Sequence, residues 1–222
     1  MKSLIIAIDG PSGAGKGTVA RAVAARLGYR HLDTGAMYRA VAWKALREGI
    51  DLSDEGRVAA LAAGASFVLD DTRVLIDDDD VTRAIRTPEI DRAATSVARL
   101  TAVRRELVAK QRAIGAGGAI VMEGRDIGTV VFPDAAVKIY LDASPEERAK
   151  RRASDPAHAA SASRGLNDVA TALAERDRND STRTDSPLTR AADAVHIETT
   201  GQSIDAVVDR VLDVVRRASE KR

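Results

Sequence analysis

The chain has 222 residues, with 34 Lys and Arg against 33 Asp and Glu, so its formal net charge at pH 7 is +1. A protein that binds the nucleic-acid backbone without regard to sequence usually carries a basic excess, and this chain has none overall. Only 3% of the residues are aromatic, which leaves few side chains for base stacking. The absence of cysteine excludes disulfides and thiolate metal sites, and the length fits one compact domain with a small insertion.

The sequence shows no sign of membrane insertion or export. No apolar run approaches the ~18–20 residues that a membrane span requires, and the opening segment is too short for a signal peptide. We therefore expect a cytoplasmic protein with no nucleic-acid or membrane partner. No spare apolar face stands out in the predicted elements, so we expect a monomer.

The cations are skewed toward arginine, with seven lysines and 27 arginines. The planar guanidinium group suits phosphate and carboxylate, so the skew is consistent with anion recognition. The chain is also very rich in alanine, and simple compositional bias explains the skew equally well at this point.

The first predicted elements enclose a phosphate-binding loop. Residues 4–8 are a continuous apolar run typical of a strand buried on both faces, and residues 18–27 have a helical pattern. Between them lies Gly-Pro-Ser-Gly-Ala-Gly-Lys-Gly-Thr. Its glycines allow a tight loop whose N–H groups converge on phosphate oxygens, and the following helix N-terminus favours anions. Lys16 would reach the β- and γ-phosphates.

The absence of two known nucleotide-binding signatures narrows the class of phosphate-binding protein. A GTPase needs a guanine-reading Asn-Lys-x-Asp, but neither Asn167 nor Asn179 is followed by lysine. The serine-glycine-glycine signature of transporter ATPases is absent, and the length leaves little room for a motor or a helicase. A small kinase or a small nucleotide-binding regulator remains.

A second string, Leu-Asp-Thr-Gly-Ala-Met-Tyr-Arg-Ala, follows the first helix. The Thr34 hydroxyl is predicted to cap the next helix, which is a purely structural role. Tyr38 and Arg39 fall in about the first turn of that helix, where an aromatic ring and a cation would face the mouth of the phosphate loop.

Residues 61–101 do not follow the alternation of strands and helices. Residues 66–70 and 73–77 predict a β-hairpin, and a helix is expected from Pro88. The four consecutive aspartates at 77–80 suit a solvated turn better than a metal site.

The third string begins at the end of a predicted core strand, residues 119–122, which follows a helix predicted at residues 101–113. It reads Glu-Gly-Arg-Asp-Ile-Gly-Thr-Val-Val-Phe-Pro, and ligands bind at the carboxyl ends of strands in open α/β sheets. The adjacent Arg125 and Asp126 between glycines are compatible with a ligand site or with a solvated turn.

The remaining elements complete an alternating α/β pattern, which argues for a layered fold with a mostly parallel sheet. Further core strands are predicted at residues 137–141 and 194–197, and an amphipathic closing helix at 203–217. In the helix between these strands, Ser144 is the expected N-cap, followed by Pro145 and by Glu147 in a capping box. Residues 153–164 are compatible with a loop between helices or with a helical extension.

One more charged cluster lies between the last two predicted strands. Arg176, Asp180 and Arg183 are spaced at i, i+4 and i+7, so they share one face while the helix continues. Taken alone, this spacing favours an intrahelical salt-bridge ladder.

Three strings in this order and spacing closely resemble the bacterial cytidylate kinase family: residues 10–18, 32–39 and 124–134. The stretches 137–143 and 146–149 are similar too. The resemblance covers essentially the whole chain, including the insertion at 61–101, which looks like the enlarged nucleoside-monophosphate-binding region of that family. Residues 153–167 match least.

The resemblance implies a single kinase domain. Its fold would be α/β, a three-layer P-loop kinase fold with a central parallel sheet, an enlarged monophosphate-binding insertion and a short lid. The implied core is residues 1–33, 101–150 and 165–222, with the monophosphate-binding region at about 34–100 and the lid at about 151–164.

The implied reaction is transfer of the ATP γ-phosphoryl group to the phosphate of CMP, and of dCMP, which gives the diphosphate and ADP. Two anionic substrates must meet, so fixed cations are needed to offset their repulsion. The acceptor oxygen is already ionised, so no general base is needed, and His31, His158 and His196 are expected to be structural or exposed. The alternatives are a uridylate, adenylate or shikimate-type kinase and a non-catalytic nucleotide-binding regulator.

The resemblance also assigns the residues that hold ATP and phosphate. ATP would lie on Gly10, Pro11, Ser12, Gly13, Ala14, Gly15, Lys16, Gly17 and Thr18. Arg39 and Arg125 would bind the CMP phosphate and the group in transfer, and Arg176 and Arg183 would approach from the lid. The hydroxyl of Thr18 comes one residue later than in the commonest P-loop, so Mg²⁺ is expected to be held largely through water, without a dedicated protein site.

The base and the sugar would be read by a separate group of side chains. A carboxylate that accepts from the cytosine amine is a familiar pairing, so Asp126 is the candidate acceptor and Arg104 its partner. Thr95 would help to read the base, and Asp180 would contact the ribose. Thr34 and Tyr38 would line the pocket. Six arginines then converge on one cationic cleft: Arg39, Arg104, Arg125, Arg151, Arg176 and Arg183.

Overall fold

The structure is a computed structural model that describes residues 3–70, 72–155 and 165–220. Its strands are β1 (Ile5–Asp9), β2 (Arg30–Asp33), β3 (Phe67–Leu69), β4 (Val74–Ile76), β5 (Asp79–Asp80), β6 (Ile120–Gly124), β7 (Val137–Asp142) and β8 (Val195–Glu198). Its helices are α1 (Lys16–Leu27), α2 (Thr34–Arg47), α3 (Glu55–Gly64), α4 (Pro88–Val97), α5 (Thr101–Gly115), α6 (Pro145–Ala153), α7 (Leu166–Ser181) and α8 (Ile204–Glu220).

Five parallel strands form the central sheet in the order β2-β6-β1-β7-β8. Helices cover both faces, so the predicted three-layer α/β fold is confirmed. On one face, Val19 of α1 and Val211 of α8 pack against Ile6 and Ile139 of the sheet. The other face packs against α5 and a π-helical turn, Ile127–Val131.

The strands predicted from apolar runs correspond to β1, β6, β7 and β8 and are confirmed. The strand β2 was not predicted, because in its sequence Arg-His-Leu-Asp only Leu32 is fully buried. Its backbone pairs with β6 from Arg30 to Asp33, so this strand is formed by tertiary pairing and not by an apolar pattern. The helix α3 was also missed.

Residues between β2 and α5 build a second core around α2, α3 and α4. The predicted hairpin is present as β3 and β4, and β5 adds a third antiparallel strand. The turn predicted for the four aspartates is right for Asp77 and Asp78 and wrong for Asp79 and Asp80, which form β5. Within the described ranges, no cluster of three or more His, Asp or Glu side chains is arranged to hold a metal ion.

The helix α6 begins as predicted but with only half of the capping box. Ser144 accepts a hydrogen bond from the Glu147 N–H at 3.2 Å, while the Glu147 carboxylate pairs with Arg151 at 2.9 Å instead of reaching back to the cap. The first three residues of the predicted lid, 151–153, are the last turn of α6. Residues 156–164, including His158, lie outside the described residues.

The parallel arrangement brings the carboxyl ends of β1, β6 and β7 to one edge of the sheet. Asp9 pairs in register with Gly124 on one side and with Tyr140 on the other. The loops that leave these strands therefore meet at this edge. None of the helices in the described ranges is both long and apolar enough to cross a bilayer.

Truncation of Leu107 tests the second core. Leu107 is fully buried among α2, α3 and α5 side chains, so Leu107→Ala should lower the free energy of unfolding by about 2–5 kcal/mol. Arg105→Ala, on the exposed side of the same helix, should change it by no more than about 0.5 kcal/mol. Urea denaturation of both variants measures the difference, and equal stabilities would contradict this packing.

Candidate functional site

A cleft of about 1210 Å³ opens at the carboxyl edge of the sheet. Its walls come from the loop after β1, the start of α2, the middle of α4, the turn after β6, and the facing sides of α6 and α7. The cleft therefore lies between the central sheet, the second core and the α6–α7 pair.

The loop between β1 and α1 needs glycine at positions where its backbone is most constrained. Gly10 has φ +147°, and a Cβ there would lie 2.0 Å from the Leu141 carbonyl oxygen. Gly13 has φ +79°, and a Cβ there would lie 2.9 Å from Arg148. These contacts pack the loop against β7 and α6, and α1 begins immediately after it at Lys16.

Lys16 is buried against its own loop. Its Nζ donates to the Pro11 carbonyl oxygen at 2.8 Å, and the residue is only 7% exposed. Burial, and next the nearby Arg125, lower the pKa of Lys16 to about 7, although Glu123 and Asp177 oppose the shift. An ammonium group that loses its hydration in this way gains strongly from an incoming anion.

At the start of α2, the predicted cap was wrong. Asp33 is the N-cap, and its Oδ1 accepts from the Ala36 N–H at 3.1 Å. Thr34 is instead the first helical residue, and its hydroxyl donates to the Glu123 carbonyl oxygen at 2.7 Å. The reason is that Asp33 keeps an extended backbone at the end of β2, which is the conformation an N-cap needs.

Asp33 also binds the first cleft arginine. Arg39 Nη2 donates to its Oδ2 at 2.6 Å, and Arg86 lies 3.9 Å from the same oxygen. Burial opposes ionisation of Asp33, but Arg39 and Arg86 outweigh it and hold the pKa of this carboxyl well below its usual range.

A buried ion pair joins α5 to the turn after β6. Arg104 Nη2 donates to Asp126 Oδ2, and both side chains are less than a tenth exposed. The Arg104 guanidinium also lies over the Tyr38 ring, 5.4 Å from its centroid. Thr95 and Thr34 line the same cleft, so the three predicted base-reading residues and the two predicted pocket-lining residues lie around one cavity.

Arg125 is the centre of a second network. Its Nε donates to Asp180 Oδ2 at 3.0 Å and its Nη2 to the Ser12 hydroxyl at 2.9 Å. Arg183 Nη1 lies 3.5 Å from the other Asp180 oxygen. Helix α7 ends at Ser181, so Arg183 reaches this network from beyond the helix. Because Asp180 pairs with Arg125 of another element, the simple intrahelical ladder was wrong.

Arg176 pairs with a carboxylate that the sequence did not reveal as a site residue. Asp91 of α4 lies with one oxygen 3.5 Å from Arg176 Nη1 and with the other 3.4 Å from Arg152 Nη2 of α6. Burial lowers the pKa of Arg152 to about 10. Asp91 and Arg152 are 61 positions apart in the chain, and no local pattern links them. Arg151 binds Thr199 and lines the same side of the cleft.

Asp177 was also missed, although its spacing from Asp180 gave a signal. The two residues are three positions apart and therefore share a face of α7. Asp177 Oδ1 accepts from the Ser12 N–H at 3.0 Å, and Oδ2 accepts from Arg148. This contact ties α7 directly to the phosphate loop.

The two histidines in the described ranges are His31 and His196. The His31 side chain is buried, and its Nε2 lies 3.1 Å from the Glu123 carboxylate, a contact between the adjacent strands β2 and β6. His196 is exposed, as expected.

The phosphate loop, the five-stranded parallel sheet and the arginine-lined cleft define a P-loop kinase fold. A gluconokinase from Sinorhizobium meliloti has a TM-score of 0.51 at 16% identity, covering 99% of this chain and 95% of that one. A shikimate kinase from Bacteroides thetaiotaomicron has a TM-score of 0.50 at 10% identity, covering 96% and 98%. At these identities the similarity shows the fold alone.

The chain belongs to the cytidylate kinase family, whose model, described as "Cytidylate kinase", matches residues 6–217. A cytidylate kinase from Solibacter usitatus is 49% identical over an aligned length of 221, and the alignment covers 97% of this chain and 93% of that protein. A bifunctional pantoate ligase/cytidylate kinase from a Nostoc species is 49% identical over 94% of this chain and 40% of its own length. The family resemblance of the three strings is thereby confirmed.

Replacement of Lys16 by an apolar side chain tests its burial. The unfolded lysine keeps its proton up to about pH 10.5 and the folded one to about pH 7. The unfolded state therefore binds more protons in this window, and stability rises with pH. Lys16→Met should be more stable than the parent protein at pH 7. The gap should narrow by up to about 1.4 kcal/mol per pH unit as the pH rises to 9.

Chemical denaturation at three pH values measures this gap. Lys150→Met, at an exposed position of α6, is the matched control and should show no such trend. A Lys16→Met gap that does not change with pH would contradict the lowered pKa.

Proposed function

We propose that the protein transfers the γ-phosphoryl group of ATP to the phosphate of CMP, and of dCMP, to form the nucleoside diphosphate and ADP. Family membership supports the reaction class. The choice of CMP as acceptor rests on the buried Arg104–Asp126 pair, which lies beside the phosphate loop and a group of arginines.

Cytosine is recognised by the pair acting together. Its exocyclic amine donates to the Asp126 carboxylate, and its neighbouring acceptors receive hydrogen bonds from Arg104. Uracil presents a carbonyl oxygen where cytosine presents the amine, so the same carboxylate repels it. Thr34, Tyr38 and Thr95 line the pocket around the base.

Phosphate binding uses arginine N–H donors that the carboxylate partners leave available. Arg39 and Arg125 are paired with the carboxylates of Asp33 and Asp180, and Arg176 with that of Asp91. Each guanidinium has five donors in a planar fork, so it can receive a phosphate while it keeps a carboxylate. Arg183 adds a further cation next to Asp180. Asp180 is our candidate for the residue that binds the ribose hydroxyls.

The transfer step needs charge stabilisation and no base. An ionised oxygen of the acceptor phosphate bonds to the γ-phosphorus, and the bond from that phosphorus to the bridging oxygen of ADP breaks. Lys16 and the cleft arginines stabilise the charge on the transferred group. A closed cleft excludes water, which would otherwise compete as acceptor.

The loop of residues 10–18 holds the ATP phosphates. A Mg²⁺ ion that arrives with ATP would face oxygen groups, namely the exposed Thr18 hydroxyl in the cleft wall and the Glu123 carboxylate next to Gly17. Oxygen ligands and retained waters suit Mg²⁺, so the residues fit a largely water-mediated ion. When bound, the ion neutralises charge on the β- and γ-phosphates.

The proposed functional regions of the chain correspond to its packed units. We assign the monophosphate-binding region to residues from about 34 to 100 and the lid to residues from about 151 to 164, of which 156–164 lie outside the described residues. Arg152 and Arg176 contact Asp91 of α4, so this carboxylate links the α6–α7 pair to the monophosphate-binding region. The protein acts as a monomer.

A panel of acceptors tests the function. With ATP as donor, ADP release should be fastest with CMP, slower with UMP, and near background with AMP and shikimate. Robust turnover of AMP or shikimate in preference to CMP would contradict the proposal. Tight ATP binding with no acceptor-dependent turnover would show a regulator instead.

Removal of the Asp126 charge tests base recognition. Asp126→Asn should lower kcat/KM for CMP by about 10–100-fold, because a good bidentate contact discriminates by about 1–3 kcal/mol, and should leave the KM for ATP within about twofold. Asp134→Asn, at an exposed position of the same string, is the matched control. If the loss appeared in the ATP dependence, the assignment of Asp126 to the base would be wrong.

A further inference from the structure

A buried carboxylate lies below the site and has no role in the proposed function. Asp9 is the last residue of β1, directly before the phosphate loop, and it is 5% exposed. Its Oδ1 accepts from the Ile127 N–H at 2.8 Å, and its Oδ2 accepts from the Gly128 N–H at 2.7 Å. Hydrogen bonds to a charged acceptor at these distances are the strong class.

The two amides belong to the segment that carries the acceptor-binding side chains. Ile127 and Gly128 open the π-helical turn, and Arg125 and Asp126 come immediately before it. Two consecutive N–H groups held by one carboxylate determine the direction of the chain at this point. Asp9 therefore fixes the backbone from which Arg125 reaches Ser12 and Asp126 reaches Arg104.

The fit between Asp9 and the turn is close. A Cβ added at Gly128 would lie 3.3 Å from Asp9 Oδ2 and 3.2 Å from the side-chain carbons of Lys138. The register of β1 and β6 places Asp9 beside Gly124, so the carboxylate lies under the turn. An asparagine in its place offers only one acceptor oxygen and serves only one of the two amides.

We propose that Asp9 is a positioning residue that couples the phosphate loop to the acceptor-binding turn, and so sets Arg125 and Asp126 relative to Lys16. This inference rests on the proposed function. On this proposal, the last residue of β1 affects binding of the acceptor by fixing the turn after β6, without contacting either nucleotide.

The charges around Asp9 give this role a pH signature. Burial raises the pKa of Asp9 to about 6, against the opposing effect of the Gly128 and Ile127 N–H bonds. Asp126 raises the pKa further and Lys16 lowers it, while Tyr140 of β7 and the stem of Lys138 also face it. As the pH falls through about 6, Asp9 takes up a proton, one oxygen becomes a donor, and one of the two bonds to the turn is lost.

The test compares Asp9→Asn with the parent protein in steady-state kinetics from pH 5.5 to 8.5. The variant should lower kcat/KM for CMP about tenfold, change the KM for ATP less than twofold, and weaken the decline of activity that we expect for the parent protein below about pH 6. Asp142→Asn is the matched control. Asp142 ends the neighbouring strand β7, and its carboxylate accepts from the adjacent Ala143 N–H and lies 4.0 Å from the exposed His196, so its kinetics should match the parent.

Two further measurements test the proposal if Asp9→Asn folds poorly or if the acceptor is not CMP. Asp9→Glu keeps both acceptor oxygens and should retain more CMP activity than Asp9→Asn. In amide NMR of the parent protein, the Ile127 and Gly128 N–H signals should titrate with an apparent pKa near 6, whichever acceptor is used. Failure of CMP turnover in the parent would count against the proposed function alone.

An unchanged kcat/KM for CMP in a folded Asp9→Asn would overturn the positioning role. So would an equal loss in the ATP dependence, or amide signals at Ile127 and Gly128 that do not titrate.

Discussion

Mutual repulsion among the cations around the phosphate loop is the constraint on which the rest of the site depends. Arginine side chains from α2, α6, α7 and the turn after β6 line one cleft, and their burial reduces the screening of their charges by solvent. Asp33, Asp91 and Asp180 provide the compensating charge. These carboxylates come from different elements, so the same pairs that balance the cleft also connect the sheet, the second core and the α6–α7 pair.

Balanced arginines suit a reaction between two anions. A cleft of unpaired cations would be costly to fold, whereas one filled with permanent ion pairs would have little affinity for phosphate. The ion pairs of Asp91 are intermediate between these two extremes. Its oxygens lie 3.4 Å from Arg152 and 3.5 Å from Arg176, which is long for charge-assisted hydrogen bonds. Lys16, buried with a lowered pKa, likewise gains most when phosphate arrives. The partly paired arginines and the buried Lys16 therefore suit the binding of phosphate groups.

The sequence predicted those parts whose cause is local. Continuous apolar runs located the core strands, and the loop before Lys16 is set by its own glycines. The strand β2 was missed because its polar residues are held by pairing with β6. Thr34 was wrongly predicted as a cap because the extended backbone of Asp33 depends on that same strand. Contacts such as Asp91 with Arg152 arise only when distant helices pack, and no spacing in the chain encodes them.

On the proposed function, one arginine-lined cleft holds an adenine nucleotide and a cytosine nucleotide at once. Calorimetric titration with adenosine and cytidine joined through five phosphates tests it most directly, with the diadenosine compound as control. We predict one-to-one binding at least about 100-fold tighter than that of ATP, because the linked second half binds at high effective concentration, and weaker binding of the control. Affinity no greater than that of ATP, or equal affinity for both compounds, would contradict the account.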